Sequence, residues 1–182
     1  MKVGSTIAVI HEGLLPDMIR HFNQQLGERL NKNYTYPYNH VEKVVLIDGI
    51  LYACGAHGKG MELTHVDEYL KAHPNHLILE PKKDLNHLEI HTLKCYADEV
   101  CNKQKRKYQR GLLIAYALWV KFKVKILKQG DKRLICYEGV ARFDNLINRS
   151  NYADLDLPTV YEIVENPHFI AKGEVKKIYF ET

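Results

Sequence analysis

The chain has 182 residues, 46% hydrophobic and 26% charged, which suits one domain with its own core and excludes a disordered or fibrous chain. A formal net charge of +4 is too small to point to nucleic acid. The longest apolar candidate, Gly111 to Leu127, is broken by Lys121, Lys123 and Lys125, so no segment supplies the roughly 20 apolar residues of a membrane span.

The chain opens with Ser5 to His11, a short apolar run that predicts a strand. This run is too short for a signal-peptide core and no small-residue cleavage site follows it. The four cysteines, Cys54, Cys95, Cys101 and Cys136, form no Cys-x-x-Cys pair. Together these features predict reduced thiols and a cytoplasmic protein. Leu14, Leu15, Met18, Ile19, Phe22 and Leu26 then recur at helical spacing, with Pro16 in the first turn. Asn31 to Asn39, "NKNYTYPYN", is a polar, aromatic loop.

His40 to Ala56 predicts two strands around Asp48-Gly49, a hairpin turn. "GAHGKG", Gly55 to Gly60, is a glycine-rich break; it lacks the Gly-Lys-Ser spacing of a phosphate loop and predicts a flexible turn. A short strand and a short helix follow, with Thr64 as the expected cap and Pro74 as the stop. His65, His73 and His76 flank that helix and are expected at the surface. His76 to Pro81 predicts a strand, and Asp84 to about Val100 a helix.

On that helix His87, His91 and Cys95 fall at i, i+4 and i+8. The third lies about 12 Å along the axis from the first, too far to share one ion. A polar helix face is expected there, with no metal and no cofactor. The basic run Asn102 to Arg110 predicts solvated surface, and Arg110 to about Lys121 a second helix with Trp119 in the core. Glu138 to Ile147 predicts a third, "LPTVYEIVEN" a short helix and "EVKKIYF" a closing strand. This order implies an α+β fold: a single domain, 1–182, with a small antiparallel sheet packed by helices.

Cys136 closes the apolar "LIC" and stands just before the third helix. A thiol at a helix N-terminus feels the positive end of the dipole, which favours thiolate, and the free N–H groups there can receive an oxyanion. Such a nucleophile needs a base, and His40 stands at the start of an amphipathic strand. The plain alternative is a buried, inert thiol.

The order of motifs goes further. Gly4 with Ser5, His40, Gly60-Met61, "THVDEYL", Cys136 with Glu138, and "LPTVYEIVENPHF" follow one another along most of the chain. In this order they resemble the permuted NlpC-type papain-fold cysteine hydrolases of the YiiX/YaeF-like group, although Ser5 and Tyr137 replace the group's usual Asp and Ser. The resemblance implies a circularly permuted papain-like fold, Cys136 as nucleophile and His40 as base of a peptidase, amidase or related acyl hydrolase. It implies a peptide, muropeptide or acyl substrate; no nucleic acid is expected, given the small net charge.

Relatives place a polar orienting residue on the strand after the hairpin. Tyr52 falls there, with Cys54 on the same face and His57 in the following loop as alternatives; none is acidic. A substrate groove is expected between "NKNYTYPYN" and "GAHGKG", with Tyr34, Tyr36, Tyr38 and His57 on its rim. The competing function is a non-catalytic ligand-binding module that keeps the fold but lacks an acidic third member.

Overall fold

The computed structural model describes residues 1–57, 59–104, 107–108, 133–134, 136–153, 155 and 158–180. The expected helix from Arg110 to Lys121, Trp119 and the end of the basic run lie outside the described residues.

In chain order the elements are β1 (Thr6–Val9), α1 (Leu14–Arg29), β2 (Tyr34–Thr35), β3 (His40–Ile47), β4 (Ile50–His57), β5 (Gly60–His65), α2 (Val66–Ala72), β6 (His76–Pro81) and α3 (His87–Asp98). A π-helical turn, Glu99–Lys103, extends α3. β7 (Lys107–Tyr108), β8 (Arg133–Leu134), α4 (Cys136–Leu146), α5 (Val160–Val164), β9 (Phe169–Lys172) and β10 (Ile178–Tyr179) follow. Six strands form one sheet in the order β5-β4-β3-β1-β6-β9, every neighbouring pair antiparallel. The expected α+β architecture with an antiparallel sheet is present.

The central hairpin forms where the Asp-Gly pair predicted it. Asp48 (φ 49°) and Gly49 (φ 83°) both take the left-handed conformation that a two-residue turn of this hand needs. The turn sets Ile47 opposite Ile50, Val45 opposite Tyr52 and Lys43 opposite Cys54. Because strand side chains alternate, Val41, Lys43 and Val45 project to one face of the sheet, and Glu42 and Val44 to the other.

The first face carries α1, α3, α4 and α5. Ala8 and Val41 pack there with Ile19, Leu26, Val140 and Ile163, while Val45 and Cys54 pack with Leu93 and Phe143. Phe143 is fully buried, a contribution of about 1.5–3 kcal/mol for a side chain of its class. On the second face Ile7, Val9, Val44 and Ala53 meet Val66 and Tyr69 of α2.

A buried polar anchor ties α4 to the sheet. Lys43 pairs with Asp144, also donates to Thr6 Oγ1 at 3.1 Å, and Tyr152 Oη donates to Asp144 Oδ2 at 2.6 Å. Burial pushes the Lys43 ammonium down against the pull of Asp144, and pushes the Asp144 carboxyl up against the pull of Lys43. The pair fixes the height and rotation of α4 over β3, and so the position of Cys136 at its first turn.

Two expected boundaries differ from those observed, and one strand is additional. α3 starts at His87 because Asn86 and Glu89 form a reciprocal capping box. α2 is capped by His65, whose ring accepts from the Asp67 N–H, in place of Thr64. β9 has no counterpart in the sequence analysis; its short FIAK segment pairs along Ile78–Pro81 at the sheet edge.

Candidate active site

Cys136 is the first residue of α4 and is 5% exposed. His40 is the first residue of β3 and is 8% exposed. The two lie 96 residues apart in sequence, yet the Cys136 side chain is close enough to the His40 ring to draw it toward its charged form. The helix brings the thiol from the first face and the strand end brings the imidazole from the second.

His40 Nε2 lies 3.1 Å from Glu42 Oε1, in hydrogen-bond geometry. With Nε2 held there, Nδ1 is the nitrogen left for the thiol. Glu42 sits two residues along the same strand and is fully buried, so both side chains project to the second face. Burial acts to lower the His40 pKa, but the paired Cys136 and Glu42 outweigh it and raise the ring to about 10. Burial acts to raise Glu42, but the imidazoles of His40 and His57 hold its carboxyl down at about 2. The ring is therefore an imidazolium and Glu42 a carboxylate across the physiological range.

His57 ends β4. Continuing the hairpin register sets it opposite His40, and the two ring centroids are 5.0 Å apart. Its Nε2 lies 2.6 Å from Glu42 Oε1, off the axis of a hydrogen bond. His40, Glu42 and His57 thus each offer a ligand atom, all within 4.8 Å of one another, as a metal site requires. Glu42 Oε2, His57 Nε2 and the Tyr69 hydroxyl are buried without a hydrogen-bond partner.

Space for the carboxylate comes from Gly55, which the register places opposite Glu42. A Cβ there would lie 2.6–2.8 Å from Glu42 Cγ, Cδ and Oε1. A further wall is aromatic. His11 stacks on His40 at 5.0 Å and on His73 at 4.6 Å, and His73 meets Tyr69 at 4.5 Å. Asn39 holds His11 in place, accepting from its N–H and donating to its carbonyl, both at 2.9 Å. Burial and the neighbouring imidazoles push His11 down to about 4, and burial also lowers His73. The surrounding imidazoles are thus neutral, and the charge of the cluster sits on the residues in its middle.

Several expected site residues stand elsewhere. Tyr52 pairs with Val45 and lies on the opposite face from Glu42; its ring meets His65 at 6.0 Å. Cys54 shares that face and lies 3.6 Å from the Cys101 sulfur. Strand alternation rules both out as the group that orients His40. Tyr36 and Tyr38 are core residues, 3% and 1% exposed. Their hydroxyls are taken, that of Tyr36 donating to Glu165 and that of Tyr38 accepting from the Lys176 N–H, while Tyr34 also donates to Glu165. They offer no groove rim.

His57 lies at the cluster as one of the alternatives, at a strand end rather than in a loop. His73, expected at the surface, lines the cluster instead. On α3 only His91 and Cys95 meet, at 3.3 Å on an exposed face. Glu42 and His11 were missed. Glu42 had a readable signal, a His-x-Glu on a strand; His11 had none, since its proximity comes only from β1 lying beside β3.

No protein-family model matches the chain, and no curated protein sequence matches it. Among solved structures it is similar in fold to a protein described as the metalloprotein yiiX of Escherichia coli O157:H7, with a TM-score of 0.54 and 9% sequence identity. The match covers 95% of this chain and 97% of that one. Among the described residues no helix is long and apolar enough to cross a membrane.

Proposed function

We propose that the chain is a cysteine hydrolase of circularly permuted papain-like fold, with Cys136 as nucleophile, His40 as base and Glu42 as the residue that orients the ring. The observation that carries this proposal is the single His40 imidazole, which Cys136 and the buried carboxylate of Glu42, 3.1 Å from Nε2, both draw toward its charged form. A thiol, an imidazole and an orienting acceptor in this relation are what acyl transfer through sulfur needs.

The steps follow from the groups present. His40 holds the thiol proton as imidazolium, and the Cys136 thiolate adds to the carbonyl carbon of an amide, ester or thioester. Backbone N–H groups at the start of α4 receive the negative oxygen. His40 returns its proton to the leaving group as the carbon–leaving-group bond breaks, which leaves an acyl thioester on Cys136. Water then gives a proton to His40 and adds to the thioester; the acid departs and the Cys136–His40 pair is restored. Glu42 stays a carboxylate throughout, steadying the imidazolium. Substrates of the peptide, muropeptide and lipid-acyl classes all present such a carbonyl. Glu42 also supplies the acidic partner whose absence favoured a non-catalytic module.

The yiiX protein is described as a metalloprotein, and the residues here suit an ion as well. Two imidazoles and one carboxylate lie within 4.8 Å of one another, two of them with an unpartnered buried atom. His40, Glu42 and His57 would hold a divalent ion of the zinc class, which would supply a Lewis acid there. No step of the thiol route depends on it.

The test is chemical. In chelator-treated protein at pH 6, Cys136 is expected to react with iodoacetamide ahead of Cys54, Cys95 and Cys101, and His40→Ala is expected to remove that lead. With p-nitrophenyl acetate the wild type is expected to carry one acetyl group on Cys136, seen by peptide mass mapping. A Cys136 that labels no faster than the other three sinks the proposal.

A further inference from the structure

We propose that the ion held by His40, Glu42 and His57 is an off-switch: metal occupancy and turnover at Cys136 exclude one another. The binding half stands on donor geometry alone; the exclusion half rests on the hydrolase function proposed above.

The argument starts from one nitrogen. His40 Nε2 faces Glu42 Oε1 at 3.1 Å, and His57 Nε2 lies 2.6 Å from the same oxygen. Both nitrogens face one carboxylate oxygen, and only the His40 contact has hydrogen-bond geometry. His57 Nε2 and Glu42 Oε2 go unpartnered even though both are buried. Native proteins rarely leave such atoms unpaired, and a bound ion is one of the accepted reasons for them. An ion among the three would take up a lone pair from each ring and satisfy His57, which the thiol mechanism leaves without a task. The two strands supply the rigidity a site needs, since β3 and β4 form one hairpin, the His40 and His57 rings lie 5.0 Å apart, and Gly55 leaves room for the carboxylate. Cys136 is not among the converging donors; with Nε2 facing Glu42, Nδ1 is the nitrogen left for it.

The exclusion follows from proton accounting. A metal on Nε2 occupies that lone pair, so the neutral ring keeps its proton on Nδ1. Such a ring still donates to the thiolate. It gives up that proton far less readily than an imidazolium does, so it cannot pass it to a leaving group and recover it from water. The metal also takes the Glu42 carboxylate that orients the imidazolium. The loaded protein therefore keeps a reactive sulfur and loses the proton cycle. Thiol alkylation, which needs no proton delivered to a leaving amine or alkoxide, continues.

The experiment titrates the chelator-stripped full chain with zinc, and with cobalt(II) as a spectroscopic probe. One ion per chain is expected by calorimetry, with cobalt ligand-field absorption and no thiolate-to-cobalt charge-transfer band. Glu42→Gln and His57→Gln are each expected to weaken binding at least about tenfold, and Cys136→Ala to leave it unchanged. Melting curves of the metal-free variants check that both glutamine variants fold. Stoichiometric zinc is expected to stop p-nitrophenyl acetate turnover while Cys136 still labels with iodoacetamide.

Absence of stoichiometric binding, or a cobalt–thiolate band, overturns the donor assignment. Full turnover by the zinc-loaded protein overturns the exclusion. A metal-free protein without any turnover sinks the hydrolase proposal and the exclusion with it, and the site is then decided by the titration and its variants.

Discussion

Gly55→Ala gives opposite outcomes according to whether Glu42 is held where the structure places it. Gly55 has a backbone conformation that alanine adopts freely, so strand propensity alone predicts a gain of about 0.5–1 kcal/mol. The steric argument predicts the reverse. The new methyl would lie 2.6–2.8 Å from three Glu42 atoms. A flexible surface carboxylate would swing away, but Glu42 is fully buried, with His40 at 3.1 Å and His57 at 2.6 Å. Displacing a buried carboxylate from its partner costs about 1–3 kcal/mol. The net expectation is destabilisation despite the favourable propensity. Movement of the His40 ring on the order of 1 Å would cost activity about 100-fold. Urea denaturation and ester kcat/KM measure the two effects, with Gly139→Ala as control. That glycine lies inside α4, where an added methyl meets Met61 Cε at an ordinary 3.8 Å, so its stability is expected to rise by about 1 kcal/mol. A Gly55→Ala protein as stable and as active as wild type would refute the placement of Glu42.

Three further outcomes are expected. His40 is raised to about 10, so its contribution to stability is full below the ordinary imidazole value of 6.5 and is lost as pH rises to about 10; Glu42, held at about 2, contributes fully above 4.5 and loses that as pH falls to about 2. Urea midpoints in the presence of a chelator are therefore expected to drop between pH 6.5 and 10 in wild type and to drop less in Glu42→Gln, with the alkaline limit of kcat/KM moving down in that variant; identical profiles would contradict the ion pair. Asp144→Asn leaves Lys43 buried and unpaired, with an expected loss of about 3–5 kcal/mol by guanidinium denaturation, most of it recovered by Lys43→Met/Asp144→Leu; a loss under 1 kcal/mol would mean the pair is not buried as described. Diamide is expected to join Cys54 to Cys101, whose sulfurs are 3.6 Å apart, removing two of the four free thiols and two hydrogens of mass. That reaction is expected to be slow, since the hydrogen bond with Cys101 and then burial push the Cys54 thiol up; a disulfide to any other cysteine would contradict the contact.

The elements legible in the sequence are those with local causes. The Asp48-Gly49 turn, the apolar spacing from Leu14 to Leu26 and the short helix in LPTVYEIVEN, which the structure starts with a Thr159–Glu162 capping box, each have causes within a few residues, and each stands near where the pattern placed it. Elements with non-local causes were missed. β9 exists because β6 offers an open edge, and FIAK alone is too short to announce a strand. His11 and His73 look like strand-end and helix-end histidines, yet the place of β1 beside β3 and the packing of α2 on the second face of the sheet bring both to the cluster.

The third member of the site belongs to neither class, because strand parity alone identifies it. A two-residue turn pairs residues equidistant from it. With Asp48 and Gly49 as the turn, Tyr52 falls opposite Val45, five positions from His40 and so on the other face. Gly55 falls opposite Glu42, and His57 opposite His40. The motif comparison pointed to the strand after the hairpin and so to Tyr52, whereas parity excludes Tyr52 and Cys54 and retains His57. Parity also shows that Glu42, two residues from the base, must share its face. A buried carboxylate there needs an empty volume across the ladder, and the one residue able to leave it, a glycine, stands at the paired position. His-x-Glu on one strand facing Gly-x-His on the next is therefore a single unit, readable once the turn is known. What parity does not supply is Cys136, which comes to His40 only through the docking of α4 on the far face.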